Sequence, residues 1–336
     1  MGVANLTQSE RRLSPRIPAS MFGIVLGLAG FSNVWRAAHV TWHLPGFVGE
    51  GLFFIACVAW IAIASLYSLK WVQAPEAARA EAEHPVQCCF IGLAGVSTLL
   101  IAQGALAFSR TLAVIFFAIG GAITVIFALW RTGRLWRGDR SPASTTPVLY
   151  LPTVAGGFVS GTVAAALGWH DWGQMLFGAG FFSWLAIESV LLHRLYTGTP
   201  LPPALRPTLG IQLAPPAVGV VSYLSVGSGA PDLVAHAMIG YAGLQAMLLL
   251  RMGRWITEQP FSASYWAFTF GATALAAAVI RLSPLDHAGA ISIIAPPIFV
   301  LANLLVLLVA ASTVRLIARH QFLPAAAPIT PCAAPR

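Results

Sequence analysis

The sequence predicts an all-α integral membrane protein with ten transmembrane helices, and composition and the pattern of apolar segments both support this. Of the 336 residues, 57% are hydrophobic and 9% are charged, whereas soluble proteins carry about 25% charged residues. The apolar runs are too long for the strands of a membrane barrel and lack their alternation. Helices therefore cross the bilayer, because a helix satisfies its backbone hydrogen bonds internally.

Charges, prolines and glycine-rich turns divide the chain into ten apolar segments, each near the roughly 20 residues that a bilayer crossing requires. They cover approximately 17–36, 47–70, 86–108, 111–130, 147–168, 172–194, 207–226, 232–253, 261–281 and 287–314. We expect a transmembrane channel domain at 17–319, a cytoplasmic leader at 1–16 and a disordered cytoplasmic tail at 320–336, which is rich in Pro and Ala.

The basic residues predict the orientation of these segments. Sixteen of the nineteen Lys and Arg residues fall in the tails and connections of one side, and only Arg36, Arg110 and Arg281 fall on the other. By the positive-inside rule the richer side is cytoplasmic. We therefore expect a multi-pass protein of the bacterial inner membrane with both termini in the cytoplasm, whose basic inner face also binds anionic lipids.

The connections alternate in length, which predicts five helical hairpins. Outer links such as "SR" at 109–110 are short, whereas inner links such as that at 131–147 are longer and charged. All odd-numbered segments then run outward, so that five parallel helices can form a ring. Small residues at Gly23 and Gly27 and in "GGFVSG" at 156–161 predict close helix packing, with the lining of a narrow conduit as the second interpretation.

Motifs of enzymes and of cofactor sites are absent from the sequence. No phosphate-binding glycine loop, nucleophile elbow or paired carboxylate occurs, and the connections are too short for a catalytic domain. His39 and His43 have a spacing that suits a metal, but no third ligand is evident. We predict no enzyme activity, no cofactor, no metal and no nucleic-acid partner.

Glu188, in "WLAIESVLLHRL", is the clearest acidic residue at membrane depth. Ionisable residues in the hydrocarbon are costly and mark functional sites by default. Three roles are open for Glu188: binding a proton, pairing with a basic residue at the inner mouth, or capping a kinked neighbour. Glu50, in contrast, begins the second segment, where a helix N-terminus favours a negative charge.

The stretch "WAFTFG" at 266–271 concentrates aromatic rings among small residues. In a helix Trp266 and Phe270 share a face, while Phe268 points about 160° away from Trp266. Phe270 then projects beside Thr269 and Gly271. A hydrophobic ring in such a place either constricts a pore by excluding water or simply packs against another helix.

Several stretches resemble the tellurite-resistance/dicarboxylate transporter family of TehA-type proteins, whose plant relatives are the guard-cell slow anion channels. They are "RIPASMFGIVLGLAG", "RAEAEHPVQCCF", "YLPTVAGGFVSG", "FGAGFFSWLAIESVLLHRL", "RPTLGIQLAPPAVGVVSYLS" and "SYWAFTFG". The resemblance spans most of the chain. It implies five hairpins in quasi-fivefold arrangement, odd helices around a central pore, and a homotrimer with a pore in each protomer.

The resemblance also implies roles for individual residues. Phe270 matches the phenylalanine that closes the family's pore, with Trp266, Phe268, Thr269 and Gly271 supporting it. Glu188 matches an acidic residue of the sixth helix, without an assigned role. Kinks of the inner helices would lie at Pro18, Pro152 and Pro215.

Three functions follow as hypotheses. The first is a gated channel for small monovalent anions such as nitrate and chloride. The second is a proton-coupled exporter of a dicarboxylate or of tellurite, in which Glu188 carries the proton. The third is a membrane scaffold whose basic inner face recruits a soluble partner such as a methyltransferase.

Overall fold

The computed structural model describes residues 17–138, 141–227, 229, 231–286, 289–319 and 321. These residues form helices and no strand. The leader predicted at 1–16 and the tail predicted at 320–336, apart from Gln321, lie outside the described residues.

Ten helices of the described chain are long and apolar enough to cross a membrane, which confirms the predicted number. We number them α1 to α10 in chain order. They are Ala19–Trp42, Gly46–Gln73, Gln87–Ala105, Arg110–Leu135, Pro147–Ala166, His170–Thr197, Pro203–Val226, Leu233–Arg251, Ala263–Leu285 and Ala290–Ala318. A short helix, Pro75–Glu83, lies in the connection between α2 and α3.

The largest boundary error concerns α1, which was predicted to end at residue 36 and ends at Trp42. Arg36 was assigned to an outer connection for the same reason, since a charge usually ends an apolar segment. The helix continues because Glu50 of α2 binds the Arg36 guanidinium through both carboxylate oxygens, at 2.9 and 2.6 Å. The predicted role of Glu50 as a helix-start charge is wrong, because α2 begins at Gly46 and its first turn contains no acidic residue; Glu50 instead pairs with Arg36.

Odd-numbered and even-numbered spans differ in burial. Within the most apolar window of each span, 61% to 83% of the residues are buried in α1, α3, α5, α7 and α9, but only 22% to 28% in the even spans. Because side chains of the even spans are left exposed and apolar, they suit contact with lipid. The odd spans form the interior of the protein.

Packing between spans follows a regular order. Each odd span packs against the even span that follows it. The odd spans also contact one another: α1 packs against α3, α3 against α5, α5 against α7, α7 against α9, and α9 against α1.

Every odd span begins with a 3₁₀ stretch, whereas the even spans are α-helical from their first turn. These stretches are Ala19–Met21, Gln87–Gly92, Pro147–Tyr150, Pro203–Leu213 and Ala263–Trp266. In α5 a π-helical segment, Leu151–Ala155, follows. The 3₁₀ geometry is tighter than the α-helix and is frequent at helix termini.

The close packing predicted for "GGFVSG" is confirmed. A Cβ atom on Gly157 would lie 2.7 Å from the Gly180 Cα of α6, and one on Gly161 would lie 2.9 Å from the Gly173 carbonyl oxygen. Any side chain at these positions would separate α5 from α6. The conduit interpretation does not apply to this pair of glycines, because their missing side chains face α6.

A buried ion pair attaches the start of α1 to the connection between α2 and α3. Lys70 Nζ lies 2.7 Å from Glu81 Oε2, and both side chains are less than 8% exposed. The Ala19 N–H donates to Glu81 Oε1 at 2.8 Å, and Lys70 also donates to the Ile17 carbonyl oxygen at 3.3 Å. Glu81 thus satisfies a backbone donor that the first turn of a helix otherwise leaves unpaired.

We predict that Lys70→Met lowers the free energy of unfolding by about 3 to 5 kcal/mol, because it leaves the Glu81 carboxylate buried without its cation. Thermal unfolding of the detergent-purified protein measures this. The double variant Lys70→Met/Glu81→Gln removes both charges and should recover part of the loss. A single variant as stable as the wild type would contradict the prediction.

Candidate functional site

Two cavities lie along the interior formed by the odd spans. The first, which we call the N-end cavity, has a volume of about 100 Å³ and lies at the N-terminal ends of these spans. The second, the C-end cavity, has a volume of about 710 Å³ and lies at their C-terminal ends. All five odd spans contribute lining residues to both, and the described residues of the even spans contribute none.

Along each odd span, the residues that line the N-end cavity come before those that line the C-end cavity. In α1, Ser20 and Leu26 line the N-end cavity, and Asn33 and Arg36 line the C-end cavity. The remaining odd spans show the same division at about the same depth. The two cavities therefore follow one another along a common direction parallel to the odd spans.

Phe270 of α9 lies where the two cavities meet. Phe270 and Val218 of α7 are the two described residues that line both cavities. Phe270 is half-buried, and Val218 is buried. The sequence drew attention to Phe270 but not to Val218, whose only signal is its place one helix turn after Pro215.

Trp266 attaches α9 to two neighbouring spans. Its indole Nε1 donates to Thr313 Oγ1 of α10 at 2.9 Å, and the side chain is buried. A Cβ atom on Gly27 of α1 would lie 2.6 Å from the Trp266 ring. The predicted supporting residue therefore contacts α1 and α10, and it also lines the N-end cavity.

Two threonines of α9 face α1 at close range. A Cβ atom on Gly27 would lie 2.2 Å from Thr269 Oγ1, and one on Gly30 would lie 2.3 Å from Thr273 Oγ1. Each hydroxyl donates back into its own helix, Thr269 to the Trp266 carbonyl and Thr273 to the Thr269 carbonyl, both at 2.8 Å. The hydroxyls are thus satisfied within α9, and the contact with α1 depends on shape.

Phe268 and Gly271 face α7. The Phe268 ring stacks on Tyr265, with ring centroids 6.2 Å apart, and approaches Gly210 so closely that a Cβ atom there would lie 2.7 Å from it. A Cβ atom on Gly271 would lie 2.9 Å from the Ala214 nitrogen. Phe268 lines neither cavity. Neighbouring aromatic residues of "WAFTFG" therefore lie in different surroundings, as the helical spacing predicts.

Of the three predicted kink prolines, two lie inside spans and one does not. Pro152 lies in the π-helical segment of α5, and Pro215 lies where the 3₁₀ stretch of α7 changes to α-helix. Pro18 immediately precedes α1, in an extended conformation. A kink at Pro18 is therefore wrong, because a proline before the first helical residue cannot bend the helix that follows it.

Glu188 is buried in a network of neutral hydrogen-bond donors. Oε2 accepts from the Tyr150 hydroxyl at 2.5 Å and from the Trp184 indole at 2.7 Å. Oε1 accepts from the Gln212 amide at 3.2 Å and from the Tyr241 hydroxyl. These donors come from α5, α6, α7 and α8, so one carboxylate connects four spans.

The network bears on the three roles that the sequence left open for Glu188. No basic group lies within 4.0 Å of this carboxylate among the described residues, and each of its hydrogen bonds there is to a side chain. Pairing with a basic residue and capping a helix therefore do not account for its contacts. Tyr150 lines the N-end cavity, so a single side chain separates Glu188 from that cavity.

We predict that Glu188→Leu destabilises the protein strongly, because each buried donor left without an acceptor costs about 1 to 3 kcal/mol. Tyr241→Phe, which removes one bond from the same network, should cost about 1 kcal/mol. Thermal unfolding in detergent compares the two variants. Equal stability of Glu188→Leu and the wild type would show that the network contributes little.

Comparison with known proteins agrees with the resemblance seen in the sequence. The profile of the SLAC1 family, described as voltage-dependent anion channel, matches residues 16–314. The tellurite resistance protein TehA homolog of Haemophilus influenzae is 34% identical over 307 residues, which are 91% of this chain and 92% of that protein.

Two proteins of Arabidopsis thaliana are more distant relatives. The S-type anion channel SLAH3 is 26% identical over 89% of this chain, and the guard cell S-type anion channel SLAC1 is 24% identical over 79%. The aligned regions are 48% and 50% of these plant proteins, about half their length. On the profile match and the identity to the TehA homolog, the chain belongs to the SLAC1 family.

Proposed function

We propose that this protein is a gated channel for small monovalent anions such as nitrate and chloride, and that Phe270 closes its pore. The observation that carries the proposal is the position of Phe270 between two cavities that are both lined by the five odd spans. A large apolar ring between two cavities closes a pore by excluding water from the section that joins them. The relatives named as anion channels support the transported class.

The proposed pore follows the axis of a quasi-fivefold arrangement of five hairpins. Three observations support this arrangement: each odd span contacts two other odd spans, each packs against its following even span, and each begins with a 3₁₀ stretch. The 3₁₀ stretches supply much of the lining of the N-end cavity, including Gln87, Tyr150 and Ser264. Five equivalent segments thus surround one space.

Val218 of α7 takes part in the proposed gate. It is apolar and buried, and it lines both cavities as Phe270 does. Trp266 and Thr269 support the ring by fixing α9 against α1 and α10, while Phe268 and Gly271 fix it against α7. In this proposal the four supporting residues position Phe270, and of the four Trp266 also lines the N-end cavity.

The lining suits weak binding of an anion. The N-end cavity is mainly apolar with a few hydroxyl and amide groups, and its lining includes no Asp or Glu among the described residues. A strong binding site would retain the anion, whereas conduction requires weak and successive contacts. The excess of basic residues near the predicted cytoplasmic face attracts anions to that end of the pore.

Ten apolar helices and a bacterial TehA homolog fit a multi-pass protein of the inner membrane. We propose that the N-end cavity opens to the cytoplasm and the C-end cavity to the outside, following the distribution of basic residues. The homotrimer implied by the resemblance stays a prediction, which the mass of the protein in native membrane nanodiscs would test.

We predict that Phe270→Ala carries a large anion-selective current, whereas the wild type carries little. The increase should be about tenfold or more, because a barrier lower by only about 1.4 kcal/mol raises a rate tenfold. Anion current in planar bilayers measures it. Phe182→Ala is the control, since it removes an equal ring from an exposed position on α6 that lines neither cavity, and it should behave as the wild type. Equal currents in the three proteins would contradict a gate at Phe270.

The second candidate is a proton-coupled exporter of a dicarboxylate or of tellurite. The observation that favours it is the buried Glu188 carboxylate, which has no basic partner among the described residues and connects through Tyr150 to the N-end cavity. The relative named for tellurite resistance supports the substrate. The same network explains Glu188 as a structural residue, so a measurement of coupling is required.

We predict that the current of Phe270→Ala is independent of a proton gradient and persists in Phe270→Ala/Glu188→Gln. Nitrate or chloride flux into liposomes, with and without a pH difference of about two units across the membrane, measures this. A carrier would give the opposite result: no current, anion flux that follows the proton gradient, and loss of that flux in Glu188→Gln.

A further inference from the structure

Three arginines are exceptions to the inward bias of basic residues, and the structure gives them different surroundings. They are Arg36, Arg110 and Arg281. Arg110 donates to the Leu167 carbonyl oxygen at 2.8 Å and lines neither cavity. Arg36 and Arg281 both line the C-end cavity. Two of the three exceptions therefore face the proposed conduction path.

Arg36 contributes little net charge to the C-end cavity. Its guanidinium binds Glu50 through two hydrogen bonds, lies over the Phe53 ring at 4.7 Å and donates to the Gly104 carbonyl oxygen at 3.4 Å. A bidentate pair of this kind satisfies both the charge and the donors of the arginine. The field of Arg36 is thus largely cancelled by Glu50.

Arg281 is different, because its charge is not compensated. Its guanidinium donates to Ser225 Oγ of α7 at 3.3 Å, and no carboxylate lies within 4.0 Å of it in the described part of the chain. Asp286, five residues further on, accepts instead from the Ser292 N–H at 3.0 Å and lies 4.0 Å from His236. Arg281 therefore presents an unpaired positive charge to the C-end cavity.

The rest of this cavity suits a hydrated anion. Its wall includes the neutral polar residues Asn33, Gln103, Thr162 and Thr273, and no Asp or Glu among the described residues. Its volume of about 710 Å³ leaves room for an ion with its first water shell. Arg281 lies eleven residues beyond Phe270 on α9, about 16 Å along the helix axis. It stands at the far end of the cavity from the proposed gate.

We propose that Arg281 forms an anion-capture site at the outer entrance, which concentrates small monovalent anions in the C-end cavity through water. The proposal rests on the channel function proposed above and adds the site that recruits the anion. Because an unpaired charge in a water-filled cavity attracts an anion without dehydrating it, capture at Arg281 raises entry without trapping. Arg36 does not attract anions as long as Glu50 neutralises its charge.

The test compares chloride conductance of Phe270→Ala and Phe270→Ala/Arg281→Gln in planar bilayers. At about 0.01 M chloride on the outer side, Phe270→Ala/Arg281→Gln should pass about half as much chloride from that side as Phe270→Ala does. This factor corresponds to the attraction between two unit charges about 8 Å apart in water. At about 1 M salt the difference should vanish, since the screening length falls to about 3 Å. Anion entry from the opposite side should change less.

Three further variants, all in the Phe270→Ala background, separate charge from structure. Arg281→Lys keeps the charge and should keep the conductance. Arg110→Gln removes an outer arginine that lines neither cavity and should have no effect. Glu50→Gln exposes the charge of Arg36 and should raise entry at low salt by a similar factor.

The outcomes distinguish this site from the channel function itself. Absence of an anion current in Phe270→Ala would overturn the proposed channel function. A conducting Phe270→Ala that Arg281→Gln leaves unchanged at low salt would overturn the capture site alone. Loss of conductance in Arg281→Lys equal to that in Arg281→Gln would also overturn it, since the bond to Ser225 would then matter more than the charge.

Discussion

The position of α9 depends on contacts in which one partner has no side chain. Gly27 and Gly30 bring the α1 backbone against Thr269 and Thr273, and Gly271 brings α9 against the start of the α-helical part of α7. Without a hydrophobic driving force between helices in lipid, such close van der Waals contact is what holds spans together. A Cβ atom at these glycines would move α9 and with it the Phe270 ring. The position of the proposed gate therefore depends on these close glycine contacts.

Lys70, Arg36 and Glu188 are each paired with an opposite charge or surrounded by hydrogen-bond donors, whereas Arg281 is exposed and has no carboxylate partner in the described structure. Lys70 and Glu81 form an ion pair, Arg36 and Glu50 form another, and Glu188 is surrounded by neutral donors. Isolated charges are costly where the dielectric constant is low, so each must be paired or hydrogen-bonded. Arg281 can remain without a carboxylate partner because it is exposed and lines the wide C-end cavity. In the proposed anion-capture site, charge compensation and cavity width together explain why Arg281 rather than Arg36 attracts the anion.

The N-terminal ends of the odd spans combine tight helical geometry with the narrower cavity. Their 3₁₀ stretches bring five short segments toward the N-end cavity, whose volume is about one seventh of that of the C-end cavity. Pro152 and Pro215 lie where this geometry changes. A proline removes a backbone hydrogen bond and so favours a change of helix type at its position. The odd spans thus differ from the even spans in geometry as well as in burial.

The number of spans and most of their boundaries could be predicted from the sequence, because hydrophobic length is a local property. The family could also be predicted, because the motifs around Phe270 and Glu188 are contiguous in the chain. The sequence also singled out Phe270 and the small residues near it. The residues that meet across spans could not be predicted, because they depend on the tertiary structure. Val218 and Phe270 line the same two cavities, Glu50 binds Arg36, and Glu188 accepts from four donors of four spans. The end of α1 was misjudged for the same reason, since the cost of Arg36 in the membrane depends on a partner in α2. Pairing between distant segments depends on how the helices pack. A single sequence does not reveal this packing, because apolar surfaces that face lipid and apolar surfaces that face protein have the same composition.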